Sequence, residues 1–212
     1  MSWDLRYLEW KYNNLNEIVA FLLASLSLAV AFIPFYRPHS LLENPLGSIF
    51  IPYIVALLAL IPHEIAHRQM ARRYGCYSRF TLSFVGFWTT LLFNLIGSFF
   101  RHFLIFFSGF TGINCGFRFN RDVEGKVSLA GPLTNLGLGF IGLLGYLVLQ
   151  TGYAGLFFYH FFYYLATFNF WVAFFNLLPF WVLDGAKVFR WNFLIWAISI
   201  GISFIFTFFI LG

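Results

Sequence analysis

The 212-residue sequence is 60% hydrophobic and only 10% charged, with a mean hydropathy of +0.79. A soluble domain carries about 25% charged residues, so no water-soluble fold could hide this much apolar surface, and lipid must be the solvent for most of the chain. The net charge of +5 does not argue for nucleic acid, because the basic residues sit at the ends of apolar segments, where a membrane protein places them.

The first 14 residues are polar and mixed in charge. No cleavable signal peptide is expected. The first apolar run, residues 15–34, is too long for a signal core and lacks a small-residue cleavage site. Further apolar runs cover residues 48–70, 80–100, 103–117, 127–150, 155–180 and 193–211. Arg68, Arg72 and Arg73 end the second run, and Arg101 and His102 divide the third from the fourth. Residues 118–126 are the clearest polar break.

This pattern predicts an all-α polytopic membrane protein, a single domain over residues 1–212 with about six transmembrane helices. The segment within 80–126 stays open. It reads as a helical hairpin, as strands of a β-hairpin, or as a re-entrant loop. Gly109, Gly112 and Gly116 recur there among β-branched and aromatic neighbours. Cys76 and Cys115 have no metal-ligand spacing and are read as free or lipid-buried thiols.

Orientation follows from the basic residues. With the N-terminus cytoplasmic, the cytoplasmic side holds Arg6, Lys11, Arg68, Arg72, Arg73, Arg79, Arg118, Arg121, Lys126, Lys187 and Arg190, and the outer side only Arg37 and Arg101. That division predicts a multi-pass protein of the cell membrane with a cytoplasmic N-terminus and an external C-terminus.

Of eight acidic residues, six lie in polar segments or at membrane edges: Asp4, Glu9, Glu17, Glu43, Asp122 and Glu124. Glu64 and Asp184 sit in or against apolar sequence, where a carboxylate costs about 2.5–3.5 kcal/mol unless compensated. Glu64 belongs to His63-Glu64-Ile65-Ala66-His67, the H-E-x-x-H pattern. On a helix, His63 and His67 project from one face, one turn apart, so both imidazoles can bind one zinc ion. The intervening carboxylate can then take a proton from the water that the metal activates.

A catalytic zinc needs a third protein ligand. Asp184 is the candidate, as the other acid unexplained by a polar segment; its bland alternative is a helix N-cap beside Gly185. Depth agrees. His63 precedes Arg72 by nine residues, about 13 Å of helix, and Asp184 precedes Lys187 and Arg190, so both halves lie toward the cytoplasmic side. The isolated His39, His102 and His160 read as loop, interfacial or core residues. The rival class is a non-enzymatic transporter or a metal- or proton-binding membrane protein using the same His/Glu/Asp cluster. Membrane hydroxylases need more histidines than five, and CAAX-type proteases need a second buried Glu.

Three segments carry a resemblance to the site-2 protease class of intramembrane metalloproteases, peptidase family M50. They are His63–His67, the N-x-x-P-x-x-x-x-D-G run from Asn176 through Pro179 to Asp184 and Gly185, and the A-G-P-x-x-N run from Ala130 to Asn135. Their order and spacing place a catalytic core over about residues 48–190. The resemblance implies that His63, His67 and Asp184 ligate Zn2+ and that Glu64 is the general base. It implies for Asn135 a contact with the substrate backbone or a developing oxyanion, with a role at a helix–helix contact as the alternative. Asn176 and Pro179 would shape the break that turns Asp184 to the metal. The implied substrates are transmembrane proteins, cut within or beside their spans. This chain departs from its resembled relatives in the long apolar stretch 80–126 and has no room for a PDZ domain.

Overall fold

A computed structural model describes residues 3–35, 38–99, 104–115, 120–150, 155–180 and 182–211. Arg37, Arg101, His102, Gly116 and Arg118, which enter the patterns above, lie outside the described residues. In chain order the elements are α1 (Trp3–Asn13), α2 (Glu17–Ala29), α3 (Pro38–Glu43), α4 (Ile51–Arg73), β1 (Tyr77–Leu82), α5 (Phe84–Gly97), β2 (Gly109–Asn114), α6 (Arg121–Gln150), α7 (Leu156–Leu177), α8 (Asp184–Trp191) and α9 (Phe193–Ile205).

Three described helical stretches are long and apolar enough to cross a membrane: Leu46–Arg73, Arg121–Gln150 and Phe193–Ile210. A fourth joins them if Asp4–Asn13 and Glu17–Phe32, bent by 110°, form one broken span. The expected count of about six is not reached on these criteria, for two reasons. Helix α5 has only 14 residues. Helix α7 has 22, but its tyrosines, asparagines and His160 lower its hydropathy. The spans expose side chains that water does not accommodate, such as Leu144 at 65% and Leu194 at 66%.

The described chain divides into two compact units. The first comprises residues 1–60 and 79–112. Here the open segment resolves into helix α5 between two paired strands. Ser83 N–H donates to Ser108 O at 2.8 Å, Gly109 lies against Thr81 and Gly112 against Arg79, so the strands run antiparallel. Residues 104–108 are neither helix nor strand over most of their length, yet Leu104 and Ser108 are fully buried. Buried backbone must find partners, and α5 supplies them. Asn94 Nδ2 donates to Ile105 O and Ser27 O, both at 3.0 Å, and Asn94 Oδ1 accepts from Ile105 N–H at 2.9 Å. Thr90 Oγ1 accepts from Phe107 N–H at 2.8 Å. Glu17 Oε1 accepts from Phe80 N–H at 2.8 Å, so this membrane-edge acid caps strand backbone.

The second unit comprises residues 61–78 and 113–212. Its centre is the α6–α7 pair. A Cβ added at Gly142 or Gly145 would collide with Ala166 or Phe162, and one at Gly139 would press on the Phe170 ring at 3.0 Å, so a row of small residues lets the two helices approach closely and antiparallel. Leu136, Ala166, Phe170, Ala173 and Leu211 form the buried cluster beside this row. Asn120 Oδ1 accepts from Val123 N–H at 2.9 Å and caps α6.

The same unit corrects the reading of two free thiols. Cys76 and Cys115 form a disulfide with Cα atoms 4.2 Å apart. The bond joins the end of α4 to the end of β2 beside buried Ala71, Val123 and Val127. A 39-residue separation carries no local spacing signal, and only the tertiary approach of the two segments brings the sulfurs together.

Candidate metal centre

Helix α4 contributes the first two donors. His63 and His67 are separated by one helical turn and both are buried, at 2% and 5% exposure. Their Nε2 atoms lie 2.9 Å apart. Pro62 sits inside α4 just before His63 and gives the helix no N–H at that position.

Asp184 comes from the start of α8. Helix α7 stops at Leu177 and α8 starts at Asp184, which leaves a short non-helical link through Pro179. The orphaned carbonyl of Leu177 accepts from Trp196 Nε1 at 2.7 Å. Asn176, at the α7 end, donates from Nδ2 to Val172 O at 2.9 Å, within its own helix. Gly185 explains the fixed D-G pair. A Cβ there would stand 2.0 Å from Leu177 O, so only glycine lets α8 begin this close to the end of α7.

Asp184 Oδ2 lies 3.4 Å from His63 Nε2 and 3.0 Å from His67 Nε2. Its other oxygen lies 3.7 Å from Lys187 Nζ. Among the described residues, these three form the one group of His, Cys, Asp or Glu side chains able to hold a metal ion. The fit to zinc is good. Tetrahedral ligands at about 2.0–2.1 Å from an ion stand about 3.3 Å from one another, and the observed separations run from 2.9 to 3.4 Å.

Two further observations suit the donor set to a cation. Each imidazole is engaged through Nδ1, which leaves Nε2 as the inward atom. His67 Nδ1–H donates to Val127 O at 2.7 Å, and His63 Nδ1–H donates to Asn135 Oδ1 at 2.5 Å. Such partners orient ligating histidines and raise their basicity. The second observation is Gly131 on α6. A Cβ there would lie 2.4 Å from His67 Nε2 and 2.6 Å from His63 Nε2. The backbone of α6 thus approaches the donor atoms and leaves in front of them the volume a side chain would fill.

Glu64 is 4% exposed, one residue along α4 from His63, and its carboxylate acts electrostatically on His67. Asn135 is fully buried, with Oδ1 on His63 and Nδ2 on Asn169 Oδ1 at 2.8 Å. The sequence motifs therefore bring His63, Glu64, His67, Asn135 and Asp184 into one unit. His39 and His160 do not join them. Asn169, the Val127 carbonyl and the space at Gly131 were not assigned roles by sequence reasoning. The A-G-P-x-x-N run was the signal for Gly131, whereas nothing local marks Asn169.

Comparison with known proteins bears on the family of the chain. The profile of Peptidase family M50 matches residues 150–202. That segment holds Asn176, Pro179, Asp184 and Gly185, and His63–His67 lie outside it. A protein of Methanocaldococcus jannaschii, named as a candidate zinc metalloprotease, is 33% identical over 183 residues, covering 81% of this chain and 83% of its own. No solved structure matches the chain significantly. A relative this similar over most of both lengths, together with a His-His-Asp cluster of zinc-like spacing, decides the assignment: the chain belongs to peptidase family M50 and is a zinc metalloprotease.

Proposed function

We propose that this protease hydrolyses peptide bonds in or near the transmembrane segments of other membrane proteins, with His63, His67 and Asp184 holding the zinc and Glu64 acting as general base. The observation that carries the reading is position. Two of the three converging donors, and the buried Glu64 between them, belong to the stretch Leu46–Arg73, which is long and apolar enough to cross a membrane. A carboxylate kept there without a task would be costly.

Bound at these donors, zinc supplies a Lewis acid that polarises a peptide carbonyl and makes water nucleophilic near neutral pH. The chain's own groups do the rest. Asp184 turns Oδ2 to the two histidines and Oδ1 toward Lys187, so the ammonium balances part of its charge. Val127 O and Asn135 Oδ1 keep both imidazoles turned inward. Glu64 takes the proton of the attacking water and returns it to the leaving amine. A membrane-spanning substrate hydrogen-bonds its own backbone, so it must unwind or present an extended segment before it can react.

The orientation proposed is multi-pass in the cell membrane, N-terminus cytoplasmic and C-terminus external, supported by the asymmetry of Lys and Arg. In the arrangement of about six crossings, α7 spans by length, since 22 residues make about 33 Å of helix. The test is cleavage of tagged single-span membrane proteins co-expressed with wild type or Glu64→Gln, with zinc content measured for each. Cleavage by wild type alone supports the reading. Equal cleavage by both removes Glu64 from the mechanism, and metal or proton flux without cleavage favours a transporter.

A further inference from the structure

Beyond the ligands, one line of buried amides runs from the metal centre into the α6–α7 pair. His63 Nδ1 meets Asn135 Oδ1 on α6. Asn135 Nδ2 donates to Asn169 Oδ1 on α7 at 2.8 Å, and Asn169 Nδ2 donates to Leu165 O, one turn back on the same helix, at 2.9 Å. Both asparagines are fully buried. We propose that Asn169 is a positioning residue of the metal site, which through Asn135 fixes His63 in the tautomer whose Nε2 carries the lone pair. The proposal rests on the reading of His63 as a zinc ligand.

The direction of the line is forced from its far end. A backbone carbonyl only accepts, so Leu165 O requires the NH2 end of Asn169. That turns the oxygen of Asn169 toward Asn135, which must answer with its own NH2. The oxygen of Asn135 then faces His63, and an amide oxygen requires the proton on Nδ1. The neutral imidazole is left with its lone pair on Nε2, the atom that faces His67 Nε2 and Asp184 Oδ2. His67 reaches the same state directly, because its Nδ1 partner is the Val127 carbonyl. Each ligand is thus referred to a main-chain carbonyl, His67 in one step and His63 in three. Were Asn169 apolar, the NH2 of Asn135 would lose the acceptor that helps turn its oxygen to His63, and the tautomer with the proton on Nε2 would compete better with metal.

A double-mutant cycle on the full-length protein in detergent tests this, with zinc affinity read by competition against a chelator. Asn169→Leu should weaken zinc binding about 10–100-fold, although it touches neither the metal nor His63. In an Asn135→Asp background the same change should cost less than about threefold, because a carboxylate accepts from His63 Nδ1–H whatever stands at 169. Equal losses in both backgrounds would show that Asn169 only fills space, and no loss in the wild-type background would likewise overturn the proposal. Should Asn169→Leu fail to yield folded protein, Asn169→Ala removes the amide without adding bulk and takes its place in the cycle. His63→Ala is the reference. If it keeps wild-type affinity, the ligand assignment itself is wrong and the relay falls with it.

Discussion

Replacing Glu64 by Gln separates proton transfer from metal binding. The amide keeps the shape of the buried side chain but cannot accept a proton. Glu64→Gln should therefore keep one zinc per chain and lose turnover by about 10²–10⁴-fold. Retained activity with confirmed zinc would sink the general-base role. Gly131→Ala should do the reverse at a residue that is no ligand. Its Cβ would stand 2.4 Å from His67 Nε2, so either α6 or the imidazoles must shift, and zinc content should fall at least about tenfold. Full zinc occupancy in that variant would show that the space before the donors is not what the ion uses. At this scale the sequence was informative where chemistry is local. His63, Glu64 and His67 are fixed by helical spacing, and Asp184 stood out as an acid in apolar surroundings. Asn169 was invisible, because its value lies in a hydrogen bond to another helix, 34 positions from its partner.

Elements in this chain are joined by polar groups where lipid offers none. Asn94 is the clearest case, since it serves Ser27 O, Ile105 O and Ile105 N–H. Asn94→Leu would leave buried backbone groups unpaired at about 1–3 kcal/mol each, so the thermal midpoint in detergent should drop by several degrees or more. An unchanged midpoint would mean that residues 104–108 find other partners. The Cys76–Cys115 bond acts between α4 and β2, and Cys115→Ala should cost about 2–4 kcal/mol, read as a lower midpoint under non-reducing conditions only. Loss of equal size under reducing conditions would show that the side chain, not the cross-link, matters. Residues 80–117 resisted reading for a physical reason. The apolar runs on either side of Arg101 and His102 have no period to distinguish a buried strand from a short helix, and what shapes the described residues here is Asn94 and Thr90 bonding backbone ten or more residues away.

For the whole molecule, hydropathy identified the membrane as solvent, and among the described residues length and composition by themselves support three or four of the expected crossings. Helix α5 is short, α1 and α2 are bent apart by 110°, and α7 mixes aromatic with polar residues. The proposed orientation rests on the division of Lys and Arg between the two sides when every apolar run crosses. A Lys126→Cys reporter in a chain without Cys76 and Cys115 should resist membrane-impermeant maleimide in intact cells and react once they are permeabilised. Reaction in intact cells would invert the topology. The native cysteines sharpen the question, because the same orientation puts their disulfide on the cytoplasmic face, where such bonds are uncommon. Trapping free thiols at the moment of lysis reports which state the living cell maintains.

The order of the donors along the chain has a consequence for synthesis. His63 and His67 leave the ribosome 117 residues or more before Asp184. At about 5–20 residues per second, that is a delay on the order of ten seconds. During it the two imidazoles share a helix turn but lack the carboxylate that completes the set. Helices α6 and α7 must also be made before Gly131 and Asn135 can take their places. Hydrolytic competence thus waits for α8, after α6 and α7 have been delivered to the bilayer, and the growing chain is spared its own scissors while those helices are still unpaired.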